Sequence, residues 1–192
     1  MDEPVSVPRD HPAADRPAFS IRQATAGDAP ALAAVAAETF PLACPPHTKP
    51  EAIAAFIAAN LSETSFDGYL ADPDRSLFIA EVGDEPAGYT MVVFGEPSDP
   101  DVATAVTARP TAELSKVYVR EAFHGGGLAA QLVAASVESA RDRGAVSVWL
   151  GVNQENVRAN RFYEKRGFAL AGTKRFLVGD RYEDDFVRLL AL

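Results

Sequence analysis

The stretch that decides the fold is EAFHGGGLAAQL, residues 121–132, in which three consecutive glycines come directly before a segment with helical spacing. Glycine loses more backbone freedom on folding than any other residue, so such a run costs stability unless bare backbone is needed there. Glycines at a helix N-terminus present several amide N–H groups and the positive end of the helix dipole to one ligand, and a phosphate group suits that position. A flexible turn without a ligand is the alternative interpretation.

Two strands flank this stretch and complete a βαβ unit. The preceding residues, ELSKVYV, have the composition of a strand, and VSVWLGV is a nearly all-apolar run typical of a strand buried on both faces. Between them, a 4-3-4 spacing predicts a helix that ends near Gly144, with Leu128, Leu132, Ala135 and Ser139 on its inward face. The glycines therefore lie at the turn between the first strand and the helix.

The upstream part of the chain predicts a strand and three helices. The strand FSIRQAT begins at Phe19, and Thr25 with Asp28 forms an N-cap signal for a helix that stops near Pro41. EAIAAFIAANL predicts a second helix, and SFDGYLAD a shorter one that Gly68 interrupts.

Two hairpins and a last helix account for the remaining regular structure. SLFIAEV and AGYTMVVF are expected to pair as an antiparallel hairpin, followed by a long polar loop over residues 95–111. Asn153 is expected to cap the helix ENVRANRFYEKR, which Gly167 ends. The chain then closes with a hairpin around Gly179.

Composition indicates one globular domain. The chain has 192 residues, of which 47% are hydrophobic and 23% charged. Residues 1–18 are rich in proline and charge and are expected to be a disordered tail, so the folded domain spans residues 19–192. No run is long and apolar enough for a signal peptide or a transmembrane helix, so we expect a cytoplasmic protein with no membrane partner.

Charge and cysteine content restrict the partners. The formal net charge of −9 argues against nucleic-acid binding and favours a cationic small molecule. The single cysteine, Cys44, excludes an internal disulfide framework and a cysteine-based zinc site, and we expect no metal. The oligomeric state is left open, with a homodimer as one alternative.

Two familiar phosphate-binding loops do not match. A Walker A loop has Lys followed by Ser or Thr after its last glycine, whereas Leu128 and Ala129 stand here. A Rossmann fingerprint needs an acidic residue at the end of the next strand, and that strand ends in Gly151 and Val152.

Two motifs instead resemble the GNAT superfamily of N-acetyltransferases. Its coenzyme A motif is Gln/Arg-x-x-Gly-x-Gly/Ala, and His124, Gly127 and Ala129 fall at its first, fourth and last positions. The second motif is similar to the family's Asn-x-x-Ala-x-x-Phe-Tyr…Gly-Phe signature, and its residues here are Asn156, Ala159, Phe162, Tyr163, Gly167 and Phe168. The resemblance implies an α/β (α+β) fold: a single domain with a central mixed, mostly antiparallel, twisted sheet of about seven strands flanked by helices.

A narrower resemblance suggests the substrate. EAFHGGGLAAQL, VWLGVNQENVRANRFYEKRGFALAG and FLVGDRYEDDF look like bacterial spermine/spermidine N-acetyltransferases. This implies acetyl transfer from acetyl-CoA to a primary amine, such as a polyamine, by direct attack. The alternatives are acetylation of protein N-termini or lysines, and a catalytically weak regulatory module that binds acetyl-CoA.

The resemblance also implies roles for particular residues. Tyr163 matches the family's general acid toward the leaving thiolate, and Glu113 is the candidate base. His124 departs from the family's Gln or Arg and carries little permanent charge at neutral pH. The implied cofactor-binding positions are Val117, Tyr118, Val119, His124, Gly125, Gly126, Gly127, Leu128, Ala129 and Asn156.

Each of these residues has a structural alternative. Tyr163 could be aromatic core, Glu113 an exposed residue at a strand end, and Asn156 a polar residue of the first helical turn. Two further sets carry weaker hypotheses. Glu38, Asp184 and Asp185 could line a cleft for a cationic substrate or form a solvated acidic face. Cys44 and His47 could form a nucleophilic pair if the two were in contact.

Overall fold

The sheet contains seven strands, and the computed structural model describes residues 18–192, so nearly all of the tail expected for residues 1–18 lies outside the described residues. The strands are β1 (Phe19–Gln23), β2 (Arg75–Val82), β3 (Glu85–Phe94), β4 (Thr111–Val119), β5 (Ser147–Asn153), β6 (Ala169–Val178) and β7 (Arg181–Ala191). Their order across the sheet is β1-β2-β3-β4-β5-β7-β6. Only β4 and β5 are parallel neighbours, which confirms the expected mixed, mostly antiparallel sheet.

Helices cover both faces of this sheet. They are α1 (Ala29–Ala43), α2 (Pro50–Asn60), α3 (Glu63–Ala71), α4 (Pro100–Ala105), α5 (Leu128–Asp142) and α6 (Val157–Glu164). Side chains of β2 alternate between the two faces: Leu77 and Ile79 pack with α1 and α3, whereas Ala80 packs with α5. Along residues 18–192, no helix combines the length and the apolar character that crossing a membrane requires.

The predicted βαβ unit is confirmed, with α5 as the connection between β4 and β5. The inward face of α5 is rotated from the one predicted, since Ala135 and Ser139 are only half-buried. The residues that are buried on this helix are Leu128, Leu132, Val133, Ser136 and Ala140. The Ser136 hydroxyl faces β3 and donates a hydrogen bond to Thr90 Oγ1 over 2.8 Å. Gly144 follows the helix with φ +82°, as expected for a residue that ends it.

The predicted interruption at Gly68 is wrong, and the helix end predicted near Pro41 lies at Ala43. Helix α1 continues through Pro41 to Ala43, because a proline in the last turn removes only one hydrogen bond there. Helix α3 continues through Gly68, because the completely buried Phe66 anchors it and the Ser62 hydroxyl caps it by accepting from the Ser65 amide. Packing and capping outweigh the low helix propensity of one glycine.

The stretch predicted as a loop over residues 95–111 contains the short helix α4. Asp99 caps this helix through its carboxylate, Pro100 occupies the first helical position, and Val102 is fully buried beneath it. The Asp-Pro pair is an N-terminal helix signal, but six residues are too few for a periodic pattern. Both predicted hairpins, β2–β3 and β6–β7, are confirmed.

A buried arginine joins the last strand to α6. Arg188 is 4% exposed and donates to Asn160 Oδ1 over 2.9 Å, to the Phe168 carbonyl over 3.3 Å and to Glu164 Oε1 over 2.7 Å. The side-chain Nδ2 of Asn160 in turn donates to the carbonyls of Asn153 and Asn156, each over 3.0 Å. This network fixes the loop between β5 and α6.

Replacing this arginine with an apolar side chain should destabilise the fold. We expect Arg188→Met to lower the free energy of unfolding by about 2–4 kcal/mol, because it leaves buried acceptors on Asn160 and Phe168 without a donor. Urea denaturation followed by circular dichroism measures the change. Arg161→Met, at an exposed position of α6, is the matched control and should change stability by less than about 0.5 kcal/mol. Equal stability of the two variants would contradict a structural role for Arg188.

Candidate active site

The site forms where β4 and β5 separate. The two strands pair over only three positions, from Thr111 with Ser147 to Glu113 with Trp149. Beyond Glu113, β4 continues to residue 119 without a partner on this side, so the peptide groups along this edge lack ladder hydrogen bonds to β5. Unpaired main-chain groups at a strand edge can bind an extended ligand.

A bulge in β4 contributes to the separation. Met91 of β3 pairs with Lys116, but the next residue, Val92, pairs with Leu114, so Ser115 is an extra residue in β4. A bulge bends its strand and increases the local twist. The bend lies directly after the last paired residue, Glu113, and therefore marks the start of the gap.

The glycine loop lies at the far end of this gap. Gly125 and Gly127 have φ values of +82° and +88°, a region that favours glycine. The amide of Gln131 donates to the Gly127 carbonyl and makes the first hydrogen bond of α5. Within residues 18–192, no acceptor is bound to the amides of residues 125–130. Six consecutive free N–H groups at a helix N-terminus fit a phosphate or pyrophosphate group.

Leu128 and Ala129 play different parts in this loop. The Leu128 side chain is 2% exposed and packs in the core, so only its main chain can face a ligand. Ala129 is half-buried and lines the cavity beside the loop. Its small side chain leaves the first turn of α5 open.

His124 is attached to the end of β4. Its Nε2 lies 2.7 Å from the Val119 carbonyl oxygen and donates to it, because a carbonyl can only accept. The His124 amide donates to the Glu121 carbonyl over 3.0 Å. The imidazole therefore links the glycine loop to the strand, and its Nδ1 carries no hydrogen-bond partner within the described part of the chain.

We call the cavity along the free edge of β4 the β4 groove. It has a volume of about 340 Å³ and runs between β4, the glycine loop and α6. Of the predicted cofactor positions, it brings together Val117, Tyr118, Val119, His124, Ala129 and Asn156. Gly125, Gly126 and Gly127 are exposed at the adjacent loop, where their amides face solvent.

Asn156 is the N-cap of α6, so the predicted cap at Asn153 is wrong. The Asn156 side-chain oxygen accepts from the Ala159 amide over 3.0 Å, whereas Asn153 accepts from the Glu155 amide in the preceding turn. The sequence contains an asparagine at both positions, and only the backbone path decides which one caps. Asn156 still lines the β4 groove, with its side-chain oxygen used by the cap.

Tyr163 lies at the bottom of the gap between the strands. Its side chain is 9% exposed and makes edge-to-face contacts with Phe162 and Phe168, at ring-centroid distances of 5.2 and 5.8 Å. Burial raises the pKa of its phenol well above the usual range, so the hydroxyl keeps its proton at neutral pH. The ring is part of the aromatic core, as the structural alternative proposed, and it also faces both cavities of the site.

A second cavity, which we call the inner pocket, adjoins the β4 groove and has a volume of about 250 Å³. One wall is aromatic: the rings of Phe40 and Phe56 stack at 4.5 Å, and Phe176 contacts Phe56 edge to face at 5.7 Å. Tyr118 and Tyr163 line both cavities and form the boundary between them. An elongated ligand in the groove and a small one in the pocket would meet at these tyrosines.

Carboxylates line the opposite side of the inner pocket. Burial raises the pKa of Glu113, although Lys174, Lys116 and Arg75 oppose this shift. Burial also raises the pKa of Asp185 to about 6. Glu113 is therefore not the exposed strand-end residue of the structural alternative, because it faces the cavity in which a ligand would bind.

Lysines share the pocket with these carboxylates. Lys116 and Lys174 both line it, and burial lowers the pKa of Lys116 to about 8. Glu183, with its side chain 8% exposed, completes the ionisable lining and lies 2.9 Å from His47 Nε2. Sequence reasoning missed Lys116, Lys174 and Glu183. The alternation of a strand could have found Glu183, since it is two residues from Asp185 and shares its face.

The hypothesis of a Cys44–His47 nucleophilic pair is wrong. His47 contacts Glu183, while the Cys44 thiol donates to the Phe40 carbonyl over 3.4 Å. Burial, followed by the Glu183 charge, raises the pKa of the Cys44 thiol to about 11, so the thiolate needed for nucleophilic attack is scarce.

Of the three residues expected to line a cleft for a cationic substrate, only Asp185 lines the inner pocket. Asp184 is exposed on the opposite face of β7, and Glu38 lies outside the inner pocket, 2.9 Å from Arg120. Among residues 18–192, no three His, Cys, Asp or Glu side chains cluster as metal ligands would.

Comparisons with known proteins agree with this geometry. A family model described as the acetyltransferase (GNAT) family matches residues 36–168. An uncharacterized N-acetyltransferase of Mycobacterium tuberculosis is 47% identical over 165 residues, which covers 86% of this chain and 98% of the relative. An uncharacterized N-acetyltransferase of Lactobacillus delbrueckii subsp. lactis is 30% identical over 173 residues, which covers 90% of this chain and 96% of the relative.

Solved structures share the fold at lower identity. The PaiA N-acetyltransferase of Thermoplasma acidophilum, solved in complex with coenzyme A, superposes with a TM-score of 0.73 at 18% identity and covers 91% of this chain and 99% of its own. The ribosomal-protein-S18-alanine N-acetyltransferase of Escherichia coli gives a TM-score of 0.64 at 20% identity, over 91% of this chain and 94% of its own. The family model and the bacterial relatives lead to one assignment, with which the shared fold agrees. The chain belongs to the GNAT family and is an acetyl-CoA-dependent N-acetyltransferase.

Proposed function

We propose that the enzyme transfers an acetyl group to a small primary amine bound in the inner pocket. The observation that carries the proposal is the position of Tyr163, which faces both the β4 groove and the inner pocket. A hydroxyl at this boundary can reach a sulfur in the groove, while a carboxylate in the pocket can reach an amine. Direct transfer needs these two groups on opposite sides of the reacting carbonyl.

Acetyl-CoA supplies the thioester whose carbonyl carbon the amine attacks. The free amides of residues 125–130 would hold its pyrophosphate, and the unpaired main chain of Val117, Tyr118 and Val119 would bind its extended arm. His124 would orient the loop through its bond to Val119 rather than supply a permanent positive charge. Because backbone groups would make these contacts, coenzyme A binding does not require the family's Gln or Arg at position 124.

The chain contributes two proton transfers. Glu113 would take a proton from the protonated amine before or during attack, since its raised pKa brings it closer to the range of a base that works near neutral pH. As the carbon–nitrogen bond forms, the carbon–sulfur bond breaks and the electron pair goes to sulfur. Tyr163 would supply the proton to that sulfur, and the second proton that the nitrogen loses as the amide forms would return the tyrosine to its neutral phenol. Its high pKa makes it a weaker acid than a free tyrosine but ensures that the proton is present.

A cationic acceptor is supported by the carboxylates of the inner pocket. Glu113, Glu183 and Asp185 all line it, and the resemblance to spermine/spermidine N-acetyltransferases suggests a polyamine. Polyamines are therefore among the first acceptors to test, together with other primary amines that fit a cavity of about 250 Å³.

A substitution in the glycine loop tests its role in binding coenzyme A. We expect Gly127→Ala to weaken coenzyme A binding about tenfold, because the loop can relax from its positive φ in the free enzyme and binding must restore it. Isothermal titration calorimetry measures the affinity. Gly83→Ala is the matched control, since Gly83 has φ +61° in the β2–β3 turn and should affect stability but not affinity. Unchanged affinity in Gly127→Ala would contradict the role of the loop.

Removal of the Tyr163 hydroxyl tests its role as the acid. We expect Tyr163→Phe to lower kcat about 100- to 1,000-fold while the KM for acetyl-CoA changes less than about threefold, because the ring is kept and only the proton donor is lost. Release of the coenzyme A thiol measures turnover. Tyr182→Phe removes a hydroxyl that is exposed in the β6–β7 hairpin and should leave kcat unchanged. Wild-type kcat in Tyr163→Phe would exclude this tyrosine as the acid.

The pH dependence of kcat/KM tests Glu113 as the base. In the wild type, kcat/KM should rise with pH as Glu113 loses its proton, at a pH above the usual glutamate range because burial raises its pKa. Glu113→Gln should remove this acid limb and lower kcat about 100-fold. Asp185→Asn provides the comparison, since the pKa of Asp185 is also raised, to about 6. If the limb disappears in Asp185→Asn and persists in Glu113→Gln, Asp185 is the base instead.

A further inference from the structure

Two lysines in the inner pocket form no direct ion pair, although their charges act on the nearby carboxylates. Lys116 comes from β4 and Lys174 from β6, and both line the cavity. Within residues 18–192, no carboxylate oxygen lies within 4.0 Å of either amine, although Lys49 on the same side of the molecule is paired with Asp180. Instead the two amines lie over aromatic rings, Lys116 at 5.4 Å from Tyr69 and Lys174 at 5.8 Å from Trp149.

Two carboxylates of the same pocket are likewise unpaired. In the described part of the chain, no Lys, Arg or His nitrogen lies within 4.0 Å of the carboxylate oxygens of Glu113 or Asp185. Glu183 differs, because His47 and Arg181 lie 2.9 and 3.4 Å from its oxygen. The pocket therefore presents two positive groups and two negative groups that make no direct ion pair with one another.

The oppositely charged side chains lie close together but form no ion pair. Lys174 and Asp185 are direct cross-strand partners on β6 and β7. Both reach over Gly151 of β5, where an added Cβ would lie 3.4 Å from Asp185 Oδ2 and 3.4 Å from Lys174 Cδ. The bare backbone of Gly151 leaves room between the two side chains. This space lies within the pocket and can admit a ligand.

Leaving these charges unpaired in a half-buried cavity is costly. Burial lowers the pKa of Lys116 and raises the pKa values of Glu113 and Asp185, which means that each charged form is poorly solvated. A polycation would satisfy the carboxylates but would face both lysines with like charge. A ligand that carries one positive and one negative group would pair with both sets.

We propose that the acceptor is a zwitterionic amino acid, with its carboxylate bound by Lys116 and Lys174 and its amine facing Glu113 and Asp185. This inference rests on the proposed function and refines it by replacing a polycationic acceptor with a zwitterionic one. The stacked rings of Phe40 and Phe56, with Phe176 beside them, supply an apolar surface for the side chain of the acceptor. Amino acids with apolar side chains are therefore the preferred class.

The inference is tested by comparing matched acceptors on the wild-type enzyme. Leucine, methionine and phenylalanine are each assayed beside the corresponding amino acid amide and the amine that lacks the carboxylate, with spermidine as the polycation. We expect kcat/KM for a free amino acid to exceed that for its amide and its amine about 10- to 100-fold, the size of one or two charge-assisted hydrogen bonds. The amide keeps the planar shape of the carboxylate, removes its charge and replaces one acceptor oxygen with an NH2 donor.

Variants identify the groups that bind the carboxylate. In Lys116→Met and Lys174→Met, the ratio of kcat/KM for the amino acid to that for its matched amine should fall about tenfold. Lys165→Met removes an exposed lysine outside the pocket and should leave this ratio unchanged.

The outcomes separate this inference from the proposed function. If spermidine, an amide or an amine without a carboxylate is acetylated as well as the best free amino acid, the zwitterionic acceptor is excluded and amine acetylation stands. If the two lysine variants and Lys165→Met give the same ratio, the carboxylate site is excluded. If no amine of any class is acetylated while coenzyme A binds, both proposals are overturned.

Discussion

The parting of β4 from β5 after three residue pairs is the constraint on which the rest of the structure depends. Pairing ends at Glu113 with Trp149, and the bulge at Ser115 follows immediately. The free edge that results leaves main-chain groups without ladder bonds, which costs stability unless a ligand or water satisfies them. The glycine loop at one end and α6 at the other enclose this edge, so one interruption of the sheet creates both the β4 groove and the boundary at Tyr163.

The inner pocket depends on contacts between distant parts of the chain. The connection between α1 and α2 is held over the β6–β7 hairpin by His47 with Glu183 at 2.9 Å and Lys49 with Asp180 at 3.3 Å. The Phe56–Phe176 contact joins the same two parts through apolar surface. The Lys49–Asp180 ion pair is exposed and contributes little stability by itself. The Phe56–Phe176 contact and the buried Glu183 therefore contribute most of the stability of this connection. The shape of the inner pocket therefore depends on contacts between side chains more than 100 positions apart in sequence, such as His47 and Glu183.

The β4 groove presents mainly backbone groups, whereas the inner pocket presents side chains, so the two cavities differ in how far their residues can change. The β4 groove presents amides and carbonyls, which every residue has. The histidine at position 124 therefore leaves these main-chain groups in place and attaches the glycine loop to Val119. The inner pocket uses charged side chains, and Lys116, Lys174, Glu113 and Asp185 set its chemistry. A fold shared with proteins at 18–20% identity is compatible with an acceptor of this chain's own.

The sequence by itself determined the elements whose signals are local. These signals are the glycine run, the all-apolar strand β5 and the motif from Asn156 to Phe168. They predicted the βαβ unit, the family and the positions of Gly127 and Tyr163, because such signals depend only on neighbouring residues and on periodicity. Only the tertiary structure decided that Asn156 rather than Asn153 caps α6, and that Lys116, Lys174 and Glu183 join Asp185 in one pocket. These outcomes depend on strand register and burial, because contacts between β4, β6 and β7 bring together side chains that no spacing along the chain relates.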